Sequence, residues 1–122
     1  MNLLLEHLHI DKVNIVGWSD GGNTGLIMAM KYPSKLKKLV TMGACIFIDN
    51  TVVDKSTFRE VNKQITVLNR ESTPEKINSS RLYTMLLIEP RHQFEELKLI
   101  TCPALIIAGE DDIIKPEHTK GI

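Results

Sequence analysis

The stretch VNIVGWSDGGNTGLIMAMKYP, residues 13–33, decides the fold of this chain. It opens with an apolar run rich in β-branched residues, Val13 to Val16, which is typical of a buried strand. A glycine-rich turn follows, and apolar residues then continue to Tyr32, where Pro33 stops the segment. The stretch therefore predicts a buried strand, a tight turn and a helix of about three turns.

The residues on either side extend this unit into a small sheet. Leu36 and the run from Leu39 to Met42 predict a second strand ending at Gly43. A strand, a helix and a strand joined by short connections form a βαβ unit, so the two strands are expected to be parallel. Pro103 starts another apolar run, Ala104 to Ala108, which predicts a third buried strand.

The middle of the chain has a helical pattern. Ser56 is expected to cap a helix through Leu68, along which apolar residues recur at intervals of three and four. Thr73 followed by Pro74 predicts a second helix running toward Ile88, and a third is expected over residues 92–97. Three helices between two strands exceed a single crossover and indicate an inserted helical cap. The predicted division is core, cap and core, over residues 1–48, 49–99 and 100–122.

Gly17-Trp18-Ser19-Asp20-Gly21 matches the pattern G-x-S-x-G between the predicted strand and helix. A sharp strand-to-helix turn strains its middle residue, and glycines two residues either side remove the Cβ atoms that would clash. The Ser19 hydroxyl is then raised above the carboxyl end of the sheet, where the Asp20 N–H can donate to a developing oxyanion. A glycine-rich loop needed only for packing is the alternative. The flanking strand and helix favour a catalytic serine.

The neighbours of Ser19 each have two interpretations. Trp18 is expected to pack beneath the turn, with a role in the wall of the substrate site as the alternative. Asp20 has a side chain that could pair with the amino group of an amino-acid ester. It could equally be a first-turn residue favoured by the helix dipole alone. Trp18 and Asp20 are therefore candidate substrate-binding residues.

An acidic turn, Gly109-Glu110-Asp111-Asp112, follows the third predicted strand. A carboxylate at the carboxyl end of a strand can orient a catalytic histidine and stabilise its cationic form. Asp112 is the preferred candidate, with Asp111 as the alternative. A solvated turn or a Mg²⁺ or Ca²⁺ site are the other interpretations. No further ligands stand at a suitable spacing, so no metal is expected.

Composition excludes several classes of function. Acidic and basic residues number 15 each, so no basic surplus supports binding to nucleic acid. No apolar stretch approaches the roughly 20 residues that span a membrane, and the start of the chain lacks the features of a signal peptide. Cys45 and Cys102 are expected to be buried free thiols. A cytoplasmic location is the resulting expectation.

Together, residues 13–33, 39–44 and 102–116 resemble the nucleophile turn, the next strand and the acid strand of α/β-hydrolases. The Gly-Trp-Ser-Asp-Gly-Gly form is most similar to small carboxylic-ester hydrolases related to valacyclovir hydrolase and proline iminopeptidase. The resemblance implies a three-layer α/β fold with a parallel sheet, here of about three strands, and a helical cap. It also implies a serine hydrolase acting on a small ester or amide, with Ser19 as nucleophile, Asp112 as acid and no cofactor.

Two features of that family are not found in this sequence. One is a catalytic histidine in a Gly-His loop well beyond the acid, and the other is a set of earlier strands with a His-Gly loop. His7, His9 and His92 are expected at the surface, and His118 at the start of a helix beside the sheet. The chain is therefore expected to be an incomplete hydrolase. The alternative is a non-catalytic domain that self-associates or binds a partner through exposed strand edges.

Overall fold

Five α-helices and a three-stranded sheet form the part of the chain described by the computed structural model, residues 1–71 and 73–122. The elements are, in order, α1 (Asn2–His7), β1 (Val13–Trp18), α2 (Asp20–Lys31), β2 (Leu36–Met42), α3 (Lys55–Leu68), α4 (Pro74–Ile88), β3 (Ala104–Ile107) and α5 (Pro116–Gly121). Two 3₁₀ helices, Pro33–Lys35 and Phe94–Leu99, lie before β2 and β3. None of the helices in these residues is both long and apolar enough to cross a membrane.

The sheet has the order β1-β2-β3, and both strand pairs are parallel. Ile15 lies opposite Leu39, and Leu39 lies opposite Ala104, so these side chains share one face. Helix α2 connects β1 to β2 and packs on both strands, as expected for a βαβ crossover. The predicted parallel sheet of about three strands is therefore confirmed.

The core lies between α2 and that face of the sheet. Leu26 and Ala29 of α2 are fully buried, and Leu39 of β2 is almost so. A Cβ atom on Gly25 would lie 2.7 Å from Cδ1 of Leu39 and 3.2 Å from Cγ2 of Ile15, closer than side chains pack. The glycine at position 25 therefore lets the helix backbone lie directly on the sheet.

The opposite face of the sheet is largely uncovered among the described residues. Val16 of β1 is 69% exposed and Leu105 of β3 is 55% exposed, although both were predicted in buried strands. Side chains alternate between the two faces of a strand, and α2, which packs on β1 and β2, covers the face that carries Ile15 and Leu39. The prediction that the first and third strands are buried was therefore wrong for this face of the sheet.

Helices α3 and α4 pack against each other and occupy the predicted insertion between β2 and β3. The start of α4 is confirmed, because the Thr73 hydroxyl accepts a hydrogen bond from the Lys76 N–H at 3.3 Å and Pro74 is the first helical residue. The Ser56 cap was wrong: Asp54 occupies the cap position and Ser56 lies in the first turn of α3. Asp54 has the extended backbone that a capping residue needs, so the helix begins earlier in the chain than predicted, at Lys55.

The third predicted helix is the 3₁₀ helix Phe94–Leu99, which begins two residues later than expected. Gln93 and Glu96 close its first turn through a reciprocal pair of hydrogen bonds. Phe94 and Leu97 pack against the buried core cluster, and the segment contacts α2. The division into residues 1–48, 49–99 and 100–122 stays a prediction.

Candidate active site

Ser19 lies at the bend between β1 and α2, where the chain takes an unusual backbone conformation. Its φ of 52° and ψ of −123° fall in a region that L-residues other than glycine rarely adopt. Such strain costs on the order of 1–3 kcal/mol and persists only where the surroundings impose it. The Ser19 N–H donates to the Met42 carbonyl oxygen of the adjacent strand at 2.8 Å, which fixes the bend. The side chain is left exposed.

The bend closes tightly around Gly17. A Cβ atom at position 17 would lie 2.2 Å from the Gly21 carbonyl oxygen and 2.6 Å from the Gly22 nitrogen. No side chain fits there, so the requirement predicted for glycine at position 17 is confirmed. Gly21 differs, since a Cβ atom there would meet nothing within 4 Å. The expectation that both flanking glycines remove a clash was wrong for Gly21, because a Cβ atom at this exposed position would enter open space.

Ser19 and Asp112 line one cavity of about 380 Å³. The floor of this cavity is the carboxyl end of the sheet. Most of the remaining lining is apolar and comes from α3, α4 and the loops that follow β2 and β3, namely Ile48, Val53, Phe58, Val61, Leu86, Leu87, Ile113 and Ile114. Two polar residues, Thr57 and Glu89, line it as well. A small, mostly apolar cleft with a few polar groups at one end is the usual form of a small-molecule site.

The acidic turn places Asp112, and not Asp111, against this cavity. The Asp112 Oδ1 accepts a hydrogen bond from the Ile114 N–H at 3.0 Å. Its Oδ2 lies over Gly43, so close that a Cβ atom there would be 2.8 Å away. Asp111 is exposed and does not line the cavity. Within residues 1–71 and 73–122, no three His, Cys, Asp or Glu side chains gather closely enough to hold a metal ion.

Asp20 and Trp18 both line the cavity beside Ser19. Asp20 is the first residue of α2, a position whose backbone N–H has no partner within the helix. Trp18 is the last residue of β1 and is 75% exposed, so the expectation that it packs beneath the turn was wrong. Its position is that of a wall residue.

Asn23 and Cys45 also line the cavity, and the sequence interpretation missed both. The Cys45 N–H donates to the Asn23 Oδ1 at 2.7 Å, and the Asn23 Nδ2 donates to the Asp20 Oδ1 at 3.2 Å. Position 23 is three residues after Asp20 on a helix, which places the two side chains on one face and was the available signal. Burial raises the pKa of the Cys45 thiol to about 11, with the Asp20 charge adding to the effect and the Asn23 hydrogen bond opposing it.

None of the four histidines lines this cavity in the part of the chain described. His7 and His9 are exposed, as expected. The His92 Nδ1 lies 2.9 Å from the Glu96 Oε2 and its side chain is only 15% exposed, so the surface position expected for it was wrong. That pairing within one turn of chain shields its ring. His118 lies in α5, as expected, and is buried.

His118 makes contacts that hold the fold together. Its Nε2 accepts a hydrogen bond from the Ile46 N–H at 3.2 Å, and its ring packs edge-on against Phe47 at 4.7 Å between centroids. Burial lowers the pKa of His118, while the Asp49 charge acts in the opposite direction. The ring therefore ties α5 to the loop after β2. Both cysteines are free, Cys45 being buried as expected and Cys102 half-buried.

Comparisons with known proteins agree with this architecture. The family model described as the alpha/beta hydrolase fold matches residues 1–76. The human protein named serine hydrolase BPHL is 31% identical, over 97% of this chain and 47% of its own. A 2-hydroxy-6-oxononadienedioate/2-hydroxy-6-oxononatrienedioate hydrolase of Dechloromonas aromatica is 29% identical, over 93% of this chain and 50% of its own. The chain therefore spans about half the length of these curated relatives.

Solved structures show the same fold. An alpha/beta fold family hydrolase from Bacillus anthracis superposes with a TM-score of 0.66 at 17% identity, over 98% of this chain and 58% of that one. Identity at this level supports the fold and not a shared substrate. The family model matches residues 1–76, which are more than half of this chain, so the chain belongs to the alpha/beta hydrolase fold family.

Proposed function

We propose that this chain carries the nucleophile and the acid of a serine hydrolase that cleaves a carboxylic ester or amide through an acyl-enzyme. The observation that supports this most strongly is the single cavity lined by Ser19, Asp20 and Asp112. In the proposal, Ser19 is the nucleophile, the backbone N–H of Asp20 is an oxyanion donor and Asp112 orients a histidine.

In the proposed reaction, the Ser19 Oγ attacks the acyl carbon while its proton passes to a histidine. The tetrahedral oxyanion accepts a hydrogen bond from the Asp20 N–H, which lies at the positive end of the α2 dipole. The bond to the leaving alcohol or amine then breaks as the histidine returns the proton. Water attacks the acyl-serine by the same route and releases the acid. No histidine lines the cavity among the described residues, so the base is assigned to a segment outside residues 1–122.

The cavity restricts the substrate class. Its volume of about 380 Å³ suits a small molecule, and its apolar walls favour an apolar acyl group. The names of the structural neighbours do not indicate one substrate, since one neighbour is titled an enol-lactonase and another a meta-cleavage product hydrolase. The Asp20 carboxylate at the cavity wall supports an acyl group bearing an ammonium ion, such as an amino-acid ester.

Chemical rescue tests the proposed nucleophile directly. The purified chain is incubated with a fluorophosphonate, with and without imidazole, and the labelled peptide is identified by mass spectrometry. Because a general base contributes roughly 10²–10⁴-fold, added imidazole is expected to raise the labelling rate about tenfold or more. Ser34, on the 3₁₀ helix Pro33–Lys35, serves as the internal comparison outside the cavity. Labelling of Ser19 and its loss in Ser19→Ala support the proposal. A folded protein that stays unlabelled at Ser19 in imidazole contradicts it.

One observation favours a second, non-catalytic function. The uncovered sheet face exposes Val16, Trp18 and Leu105, an apolar surface of the kind found at protein interfaces. Self-association of the chain would cover that face and its neighbouring strand edges. Sedimentation of the same samples distinguishes the two proposals. A folded oligomer that gives no Ser19 label supports self-association without catalysis. A monomer that is labelled at Ser19 contradicts the self-association proposal.

A further inference from the structure

Asn23 is held rigidly between two parts of the active site. The Cys45 N–H, which belongs to the loop after β2, donates to the Asn23 Oδ1 at 2.7 Å. This hydrogen bond joins residues 22 positions apart and is partly buried. A backbone N–H can bond only to the oxygen of a side-chain amide, so the contact also fixes which way the amide faces.

With its oxygen occupied by Cys45, the amide presents its NH₂ group to Asp20. The Asn23 Nδ2 lies 3.2 Å from the Asp20 Oδ1. A carboxylate has two oxygens, and this contact uses one of them. The Asp20 Oδ2 makes no side-chain hydrogen bond or ion pair among the described residues, and Asp20, Asn23 and Cys45 all line the cavity. The amide therefore holds the carboxylate at the cavity wall with one oxygen left for a ligand.

We infer that Asn23 is a positioning residue for the recognition of a substrate ammonium ion by Asp20. This inference rests on the proposed function, in which Asp20 accepts a hydrogen bond from the amino group of the acyl moiety. An exposed aspartate alone samples several rotamers, and ordering it only when the ligand binds reduces affinity. The bridge from Cys45 through Asn23 orders Asp20 beforehand.

The chemistry of the anchor suits this role. The Cys45 thiol is buried and stays neutral at physiological pH, because its pKa is raised to about 11. A neutral thiol adds no second negative charge near Asp20. The amide is neutral as well, so Asp20 is the acidic group of this bridge. The bridge itself therefore carries one negative charge, while the carboxylates of Asp112 and Glu89 line other parts of the same cavity.

Ligand binding tests the inference without requiring turnover. In a Ser19→Ala background, the dissociation constants of L-phenylalanine ethyl ester and of its N-acetyl derivative are measured by calorimetry. Asn23→Ala is expected to weaken binding of the free-amine ester roughly threefold to tenfold and to leave the acetylated ester unchanged. Asn62→Ala is the matched control, since Asn62 is exposed on α3 and its amide donates to the Phe58 carbonyl oxygen, outside the cavity lining.

Asp20→Asn separates the two proposals. One outcome is that Asp20→Asn removes the preference for the free amine while Asn23→Ala keeps that preference. In that case Asn23 is only structural and the inference is wrong, although recognition of the amine by Asp20 stands. If Asp20→Asn keeps the preference, recognition by Asp20 is wrong and the inference with it. NMR provides a second measurement in the Ser19→Ala protein with Asn23 intact. The Asn23 NH₂ signals should shift with the free-amine ester and not with the acetylated one, and an absence of shift overturns the inference.

Discussion

Gly17→Ala is the substitution that tests most directly how the sequence forms the bend at Ser19. The new Cβ atom would lie 2.2 Å from the Gly21 carbonyl oxygen, whereas real Cβ contacts are essentially never shorter than 3.0 Å. The bend must therefore open by at least 3.0 − 2.2 = 0.8 Å. The obstructing atoms belong to the backbone of α2, so no side-chain rotation relieves the contact. Overpacking of this kind costs about 1–3 kcal/mol, and we expect the upper end.

For a domain of this size, a loss of about 3 kcal/mol lowers the Tm by roughly 10 °C or more. Thermal unfolding followed by circular dichroism measures it. The rate of fluorophosphonate labelling in imidazole, taken below the transition, measures whether Ser19 keeps its position. That rate is expected to fall even where the variant is fully folded, since opening the bend moves the Ser19 Oγ relative to the Asp20 N–H.

Gly21→Ala is the matched control, because a Cβ atom at position 21 has open space around it. Alanine is favoured over glycine in a helix by up to about 1 kcal/mol, so the Tm should stay unchanged or rise. Equal melting and labelling of wild type and Gly17→Ala would refute the steric account of the bend. A Gly21→Ala variant as unstable as Gly17→Ala would refute it too, since the loss would then reflect glycine content and not the contact at position 17.

Two further substitutions test buried polar groups. Burial lowers the pKa of His118 below its ordinary value of 6.5, against the opposing Asp49 charge. As the pH falls, His118 is therefore protonated in the unfolded chain at a higher pH than in the folded one. The free energy of unfolding, measured in urea, should decrease below about pH 6.5 by up to about 1.4 kcal/mol per pH unit, until His118 of the folded chain is protonated too. His118→Gln should flatten this pH dependence of stability, and the control His7→Gln should not. A wild-type stability that stays level from about pH 7.5 to 5.5 would contradict the prediction. The fully buried Thr41 hydroxyl has no hydrogen-bond partner among the described residues, so Thr41→Val should raise stability by about 1 kcal/mol in urea unfolding, unlike the exposed Thr101→Val.

The elements predicted most accurately are those set by local chemistry. A β-branched run, a tight glycine bend and a proline stop determine β1 and α2 within a few residues, and the pair Thr73-Pro74 determines the start of α4. The errors arise where a residue's environment is decided by distant parts of the chain. Val16 and Leu105 have the composition of buried strands, but their burial depends on what covers the sheet face.

The side-chain contacts of the site show the same limit. The motif indicates Ser19 because the close contacts that require glycine at position 17 are made by Gly21 and Gly22, within the motif and next to it. Asn23 has no such motif, since its role depends on a hydrogen bond to Cys45, 22 residues along the chain. His92 was expected at the surface for the same reason, because its backbone N–H donates to the Ile46 carbonyl oxygen at 2.7 Å, a contact between residues 46 positions apart.

Gly43 explains how residues that follow two strands that are not neighbours can line one cavity. Ser19 follows β1 and Asp112 lies beyond β3, and the order β1-β2-β3 leaves β2 between them. Strands lie about 4.8 Å apart, so the two ends are separated by roughly 10 Å. The chain leaves β2 at Gly43 with a φ of 58°, and the Asp112 Oδ2 lies only 2.8 Å from where a Cβ atom of residue 43 would be. A side chain there would push the carboxylate away from the cavity. The glycine that ends β2 thus lets Asp112 lie over the intervening strand, against the cavity that Ser19 also lines.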